Sequence, residues 1–167
     1  MRTTPYTCGV LTLSDKGARG EREDTSGPML QQLLTEQGFC IKAYQIIPDQ
    51  QLLIEAILTN WVDVKGIDLI ITTGGTGVSP TDRTPEATRR VIELEIPGIA
   101  EAMRQASLAK TKQAIWSRGI AGIRRKSLII NLPGSEKGAK ENIEAVLPAL
   151  VHGLDKIKGG TEDCGGD

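Results

Sequence analysis

One stretch of the sequence, residues 68–88, constrains the fold more than any other. The apolar residues 69–71 (Leu-Ile-Ile) predict a buried strand, and residues 74–77 (Gly-Gly-Thr-Gly) predict a tight turn at its end. A polar loop containing Asp82 follows. The Thr-Pro-Glu sequence at residues 84–86 is typical of a helix start, with threonine as the N-cap and proline at the first helical position.

This order of features predicts an anion site with a cation ligand beside it. Glycine lets the backbone approach a phosphate or acid group closely, and the N–H groups of such a turn can point at the anion. The Asp82 carboxylate cannot bind phosphate directly, but it can hold Mg²⁺. The turn is neither a Walker A loop nor a dinucleotide fingerprint, because it lacks both the Gly-Lys-Ser/Thr ending and the GxGxxG spacing. For the glycines alone, a plain strand-to-helix turn is the alternative interpretation.

The composition limits the class of protein. A chain of 167 residues is the size of one domain and can bury a core without disulfides or structural metals. The formal net charge of −1 and the aromatic content of 3% argue against nucleic-acid binding. Three cysteines and a single histidine provide neither a disulfide framework nor a structural zinc site. Without a long apolar run, we expect no membrane contact and a cytoplasmic protein.

Strand and helix patterns alternate along the chain. The predicted strands are residues 7–14, 39–47, 69–71, 114–117 and 126–131. Five helices are predicted: the first ends at Gly38, the third and fourth cover residues 85–95 and 99–110, and the fifth is capped by Ser135. The second is capped by Asp49 and has Leu53, Ile57 and Trp61 as its apolar stripe. This alternation predicts an α/β fold, a three-layer sandwich with a mostly parallel central sheet, helices on both faces and a small antiparallel edge. Residues 1–158 are expected to form this single domain, and residues 159–167 a flexible tail.

Residues at the strand ends are the first candidates for a site, because ligands of open α/β sheets bind at the carboxyl ends of the strands. Ser14 and Asp15 follow the first strand, and Asp49 follows the second. Gly134 and Ser135 follow the last strand and offer a second anion contact. Each position also has a plain structural interpretation, as a turn or as a helix cap.

The other polar residues of note are interpreted as structural or solvated. Lys16 and Arg19 are interpreted as solvated surface rather than ligands. His152 has no serine and acid nearby for a catalytic triad. A basic cluster consists of Arg118, Arg124, Arg125 and Lys126. It is interpreted as a solvated face, and the alternative is a positively charged edge, or basic lip, beside the site.

Three stretches taken together resemble a known family. They are LTLSD…DTSGP near the start, TTGGTG followed by D-x-TPEAT in the middle, and NLPGS before the last helix. In this order and spacing, and together with IPGIAEAMRQAS and the Ala-Ile-Trp-Ser-Arg segment, they resemble the Mog/MoaB-type molybdenum cofactor biosynthesis proteins. The resemblance covers residues 6–158 and points to the molybdopterin adenylyltransferases among them.

The resemblance implies a reaction in which the terminal phosphate of molybdopterin attacks the α-phosphate of Mg-ATP. Adenylyl-molybdopterin forms and pyrophosphate leaves. It also implies Mg²⁺ as the cofactor, a homotrimer, with hexamers among related members, and hand-over of the product to a molybdenum-inserting protein. Two alternatives stay open: a non-catalytic molybdopterin-binding or scaffold protein of the same fold, and a general nucleotide-binding α/β module.

Position by position, the resemblance implies that Asp82 and Asp49 are the catalytic and metal-binding carboxylates. The substrate- and nucleotide-binding positions that it implies are Ser14, Asp15, Gly74, Gly75, Thr76, Gly77, Thr84, Glu86, Ser107, Pro133, Gly134 and Ser135. The family often has an arginine directly before the loop aspartate, whereas here Thr81 occupies that place and Arg83 follows. Because both reacting groups are phosphates, no side-chain nucleophile is needed, and positioning with electrostatic stabilisation accounts for catalysis.

Overall fold

A computed structural model describes residues 4–161 of the chain. The strands are β1 (Thr7–Leu13), β2 (Cys40–Ile47), β3 (Leu69–Thr73), β4 (Leu94–Glu95), β5 (Ala121–Arg124) and β6 (Ser127–Leu132). The helices are α1 (Asp15–Ala18), α2 (Ser26–Glu36), α3 (Gln51–Asp63), α4 (Thr84–Val91), α5 (Pro97–Leu108) and α6 (Glu136–Ile157), with a 3-10 helix at Lys112–Trp116. Residues 162–167, and so most of the predicted tail, lie outside the described part.

The described strands form one sheet in the order β2-β1-β3-β6-β5-β4. The first four of these strands run parallel, and β5 and β4 add an antiparallel edge beside β6. Helices cover both faces of the sheet. The prediction of a three-layer α/β sandwich with a mostly parallel sheet and an antiparallel edge is therefore confirmed.

The two faces of the sheet carry two separate cores. Ile71 and Ile130 face the layer formed by α2, α5 and α6. Ile70 and Ile129 face the layer formed by α3 and α4. All four side chains are fully buried, so both faces of the parallel strands are covered. The sequences of these strands are therefore continuous apolar runs rather than alternating apolar and polar residues.

The last helix begins as the sequence predicts. The Ser135 hydroxyl oxygen accepts a hydrogen bond from the Gly138 N–H at 3.1 Å, so Ser135 is the N-cap of α6. Its buried stripe includes Ala139, Ile143 and Leu150, which pack on the sheet. Although α6 is the longest helix of the described residues, neither it nor any other described helix combines the length and apolarity that a bilayer crossing requires.

The segment after α4 differs from the prediction. Helix α4 ends at Val91 rather than at residue 95, because Ile92 adopts an extended backbone conformation with φ −72° and ψ 150°. Residues 94–95 instead pair with β5 as the short edge strand β4. Pro97 opens α5 at its first turn, where the missing N–H of proline costs no helical hydrogen bond.

The prediction of a strand at residues 114–117 is also wrong, because this segment lies largely in the 3-10 helix. Thr111 caps that helix, since its side-chain oxygen accepts from the Gln113 N–H at 3.3 Å. Ile115 and Trp116 are more than half exposed, so their apolar character does not reflect a buried strand.

The antiparallel partner of β6 is β5, which lies between the two segments predicted as strands, residues 114–117 and 126–131. Gly122 is inside this strand, where the Ile92 side chain and the Leu94 carbonyl leave no room for a Cβ. The turn between β5 and β6 instead passes through Arg125, with a left-handed φ of 52°. The predicted antiparallel edge is thus present, but one segment later along the chain.

The apolar stripe of α3 is rotated from the prediction. The side chains that face the sheet are Ile54, Leu58 and Trp61. Leu53 and Ile57, which the periodicity places at the centre of the stripe, are only partly buried. Trp61, which belongs to both the predicted and the observed stripe, lies over Gly9 in β1, whose bare backbone leaves the space that the ring fills.

Replacing Gly9 with alanine should destabilise the protein through this contact. A Cβ there would lie 2.7 Å from Trp61 Cε3. Such overpacking of a core costs about 1–3 kcal/mol of unfolding free energy, measured by urea denaturation. The matched control is Gly153→Ala in α6, where a Cβ meets no atom within 4 Å and helix propensity predicts a gain of about 0.5–1 kcal/mol. Equal shifts in the two variants would contradict the packing account.

Candidate active site

The candidate site lies where the carboxyl ends of β1, β3 and β6 converge. Gly74 follows β3 with φ 103°, and a Cβ on it would collide with the Leu13 carbonyl oxygen of β1. A Cβ on Gly134, after β6, would lie 3.2 Å from the Gly74 Cα. The Gly74 N–H also donates to the Leu132 carbonyl at 3.1 Å. Only glycine satisfies both the backbone angle and the close approach at position 74.

A cavity of about 600 Å³ opens beside these strand ends. The predicted site residues that line it are Ser14, Asp15, Asp49, Gly74, Gly75, Asp82, Gly134 and Ser135. They come from four separate stretches of the chain. The parallel topology brings these stretches to one edge of the sheet, as the strand-end argument expects.

The carboxylate of Asp49 is held in an unfavourable environment. Its Oδ1 atom is buried and has no hydrogen-bond partner. Burial, followed by the charges of Asp15 and Asp82, raises the pKa of Asp49 to about 6. The residue is not the helix cap that the sequence suggested, because Gln50 occupies the N-cap position of α3. A buried acceptor without a partner and with a raised pKa marks a place where a ligand can bind.

Asp15 fixes the position of Asp49. Its Oδ1 accepts a hydrogen bond from the Asp49 N–H at 2.9 Å. Asp15 itself begins the short helix α1, for which Ser14 is the N-cap, since the Ser14 hydroxyl oxygen accepts from the Gly17 N–H at 2.9 Å. The end of β1 therefore organises the end of β2 through a side-chain contact.

The glycines of the turn make room for carboxylates. A Cβ on Gly75, which has φ 66°, would lie 2.6 Å from Asp49 Oδ1. A Cβ on Gly77 would lie 2.8 Å from Asp82 Oδ2. The same Asp82 oxygen accepts a hydrogen bond from the Ser79 N–H at 2.9 Å. The bare backbone and the two acids that the sequence singles out are thus in direct contact.

Thr84 supports the turn instead of capping the helix. The N-cap of α4 is Arg83, one residue earlier than predicted. The Thr84 hydroxyl is fully buried and donates to the Gly74 carbonyl at 2.9 Å, and the Thr84 N–H donates to the Gly75 carbonyl at 3.1 Å. Thr84 therefore locks the glycine turn onto the start of α4.

Several predicted binding residues do not line the cavity: Thr76, Gly77, Thr84, Glu86, Ser107 and Pro133. Ser107 lies between α5 and α6, where it accepts a hydrogen bond from Asn142 Nδ2 at 2.6 Å. The Pro133 carbonyl accepts from the Thr73 hydroxyl at 2.7 Å, which ties β3 to β6. Glu86 pairs with Arg118 and lines a different pocket together with Arg118. The binding role that the resemblance implies for these six residues therefore stays a prediction.

The sequence interpretation missed five charged residues on the cavity wall, namely Glu23, Glu136 and the three that follow. Lys16 lines the cavity, although the sequence pattern favours solvated surface there, and so does Arg22. Asp24 is the third, and it accepts from the Thr12 hydroxyl at 2.7 Å, from the Gly27 N–H at 3.0 Å and from the Tyr44 hydroxyl. Its place just before Thr-Ser-Gly-Pro is a helix-start signal that could have singled it out.

The donor set fits Mg²⁺ in one particular way. Among residues 4–161, no group of three or more histidine, cysteine, aspartate or glutamate side chains is arranged to hold a metal unaided. Mg²⁺, however, is usually bound by one or two carboxylates together with water and substrate phosphates. The unpartnered Asp49 Oδ1, on which the negative charge of Asp82 acts, is suited to that arrangement because a cation would relieve both the burial cost and the repulsion.

The fold and the cavity together define an α/β protein with a ligand site at the carboxyl ends of its strands. The sequence pattern of a family described as a probable molybdopterin binding domain matches residues 9–152. The chain therefore belongs to this family of molybdenum cofactor biosynthesis proteins, as the resemblance predicted.

Individual relatives agree with this assignment. The chain is 45% identical over 155 residues to the molybdopterin adenylyltransferase of Helicobacter pylori J99, covering 90% of this chain and 87% of the relative. It is 40% identical over 153 residues to that of Escherichia coli K12, covering 87% and 78%. Among solved structures, MoaB from Thermus thermophilus is 51% identical with a TM-score of 0.88, covering 92% of this chain and 97% of that one.

Replacing Asp49 with asparagine should stabilise the protein at neutral pH. The folded-state pKa of about 6 lies above the ordinary value of 3.8, so the folded protein binds the proton more tightly and loses stability as the pH rises through 6. Removing the charge should add about 1 kcal/mol to the unfolding free energy at neutral pH, a value discounted for partial exposure. The gain should shrink as the pH falls from 6 towards 3.8.

The control is Asp63→Asn, outside the cavity. The hydrogen bond and charge of Arg124, with Arg125 adding to them, hold the pKa of Asp63 below its usual value. Asp63→Asn should therefore destabilise the protein at neutral pH, opposite in sign to Asp49→Asn. Urea denaturation across pH measures both, and a loss of stability for Asp49→Asn at neutral pH would contradict the strain assigned to that carboxylate.

Proposed function

We propose that this protein adenylylates molybdopterin with ATP, acting in molybdenum cofactor biosynthesis. A terminal phosphate oxygen of molybdopterin attacks the α-phosphorus of ATP, and a new P–O bond forms there. The bond from the α-phosphorus to the oxygen bridging it to the β-phosphate breaks, and pyrophosphate leaves with that electron pair. The products are adenylyl-molybdopterin and pyrophosphate.

The observation that carries this proposal is the contact between the glycine turn and the two carboxylates. Gly75 and Gly77 bring bare backbone against Asp49 and Asp82, and Gly75 and both carboxylates line the cavity. Both substrates are polyanions that repel each other, so a site for them needs backbone donors for phosphate and carboxylates for a neutralising cation. The identity of 40–45% to enzymes named molybdopterin adenylyltransferase, over most of the chain, supports the same activity.

Residues of this chain supply positioning and charge. Lys16 and Arg22 on the cavity wall attract the phosphates, and the start of α6 behind Gly134 and Ser135 adds backbone donors. Asp15 holds the backbone of Asp49 in place. Catalysis then consists of alignment and electrostatic stabilisation, with no covalent intermediate on the protein.

Asp49 and Asp82 are the residues that we assign to Mg²⁺. When bound, Mg²⁺ neutralises charge on the phosphate oxygens and on the departing pyrophosphate. The Ser79 N–H keeps the Asp82 side chain oriented, at 2.9 Å from Oδ2. The proton competes with the cation at Asp49, because its pKa of about 6 is close to neutrality.

The assembly and the compartment follow from the resemblance and from surface chemistry. A homotrimer is supported by large apolar side chains on the described surface, among them Leu94, Ile115 and Trp116. Hand-over to a molybdenum-inserting protein is expected because the product is a reactive phosphoric anhydride that water hydrolyses. Free thiols at Cys8 and Cys40 suit a reducing compartment such as the cytoplasm.

Replacing Asp82 with asparagine should slow adenylation while molybdopterin still binds. Loss of one preorganised electrostatic contact typically costs about 10²–10³ in rate. Pyrophosphate release with ATP, Mg²⁺ and molybdopterin measures the rate, and fluorescence quenching measures pterin binding. The control, Asp63→Asn, changes a carboxylate outside the cavity and should keep wild-type turnover.

One outcome would favour the scaffold alternative, and another would contradict the role assigned to Asp82. If the wild-type protein binds molybdopterin but releases no pyrophosphate, the non-catalytic scaffold is the better account. If the wild type is active and Asp82→Asn turns over equally fast, the role assigned to Asp82 is wrong although the activity stands.

A further inference from the structure

The loop that carries Asp82 projects from the sheet and needs to be held in place. Residues 78–81 are exposed. Within the loop, Ser79 N–H donates to Asp82 Oδ2, Asp82 N–H donates back to the Ser79 carbonyl at 3.0 Å, and the Ser79 and Thr81 hydroxyls share a hydrogen bond of 3.2 Å. These bonds shape the loop but do not connect it to the rest of the protein.

That connection comes from Arg118, which follows the 3-10 helix. Its backbone N–H donates to the Thr76 carbonyl at 2.8 Å. Its side-chain Nε donates to the Gly77 carbonyl at 2.7 Å, and Nη2 donates to the Asp82 carbonyl at 3.1 Å. Nη1 pairs with the Glu86 carboxylate in the first turn of α4. One guanidinium therefore ties both ends of the loop and the following helix together.

We propose that Arg118 is a positioning residue for adenylyl transfer, holding the Asp82 loop so that its carboxylate faces the cavity. The inference rests on the proposed function and extends it to a residue outside the cavity wall. Arg118 acts through Asp82 and contacts neither substrate nor metal.

The chemistry of the side chain suits this role. Arginine presents several donors in one rigid plane, whereas lysine presents a single point charge and cannot bridge separate carbonyls in the same way. The partner Glu86 stays ionised: burial alone would raise its pKa, but the hydrogen bond and charge of Arg118 lower it overall. Glu86 therefore keeps its charge opposite Arg118 at neutral pH.

Arg124 provides a matched control. It is a partly buried arginine like Arg118, and it also makes three side-chain bonds: to both carboxylate oxygens of Asp63 at 3.0 and 2.7 Å, and to the Val91 carbonyl at 3.1 Å. These contacts join α3, α4 and β5 outside the candidate site. Arg124→Ala should lower stability without a specific change in turnover.

Arg118→Ala should lower kcat for pyrophosphate release by about 10²-fold, the order expected when a reacting group is displaced by an ångström. KM for molybdopterin should stay unchanged, because Arg118 does not line the cavity. Arg118→Lys should recover only part of the rate. A purely structural role would instead make Arg118→Ala resemble Arg124→Ala, with lower stability and wild-type kcat.

The double variant tests whether Arg118 acts through Asp82. Two residues that act through one contact give non-additive effects. Adding Arg118→Ala to Asp82→Asn should therefore cause little further loss of kcat. If the fold-losses of kcat in the two single variants multiply in the double variant, Arg118 does not act through Asp82.

Hydrogen exchange gives a readout that does not depend on activity. The Ser79 and Asp82 amides are bonded within the loop and should exchange faster in Arg118→Ala, while amides of β3 keep their protection. Unchanged exchange at Ser79 and Asp82 would overturn the inference. If the wild type is active and Arg118→Ala keeps full kcat, the inference is also overturned, but the proposed function stands. A wild type without pyrophosphate release would instead refute the proposed function and this role together.

Discussion

The close approach of three strand ends is the constraint on which the rest of the structure depends. Gly74 lies against the Leu13 carbonyl on one side and against Gly134 on the other, so the ends of β1, β3 and β6 meet without intervening side chains. A side chain at any of these contacts would push the strands apart. Because the strands meet here, loops that are distant in sequence deliver their polar groups to one cavity.

The same bare backbone explains why the site is strained. Asp49 is packed against Gly75 with a buried oxygen that has no partner, and Asp15 and Asp82 add like charge. Such an arrangement lowers the stability of the ligand-free protein, and the proposed cation would remove the penalty. The candidate site is thus preorganised at a cost in the stability of the ligand-free protein. Arg118 fits this picture as the residue that holds the second carboxylate in position from outside the cavity.

Much of the fold could be predicted from the sequence, because the deciding signals are local. Continuous apolar runs mark the buried strands, and Ser135 marks the start of α6. The errors occur where tertiary contacts overrule local patterns. Helix α3 turns Ile54 and Leu58 towards the sheet in place of Leu53 and Ile57, and the exposed apolar residues Ile115 and Trp116 lie in a 3-10 helix rather than a strand. For the candidate site, motif order singled out the two carboxylates, whereas the contacts of Arg118 span more than thirty positions, which no local pattern reveals.

The central claim is that the glycine turn and the two carboxylates form one site for a nucleotide phosphate and a divalent cation. The most direct test is a crystal structure with Mn²⁺ and a non-hydrolysable ATP analogue, in which anomalous scattering locates the metal. The account predicts an anomalous peak at the carboxylates of Asp49 and Asp82, with the phosphates against Gly74 and Gly75. Phosphates and metal bound away from these residues, with the Asp49 oxygen still unpartnered, would contradict it.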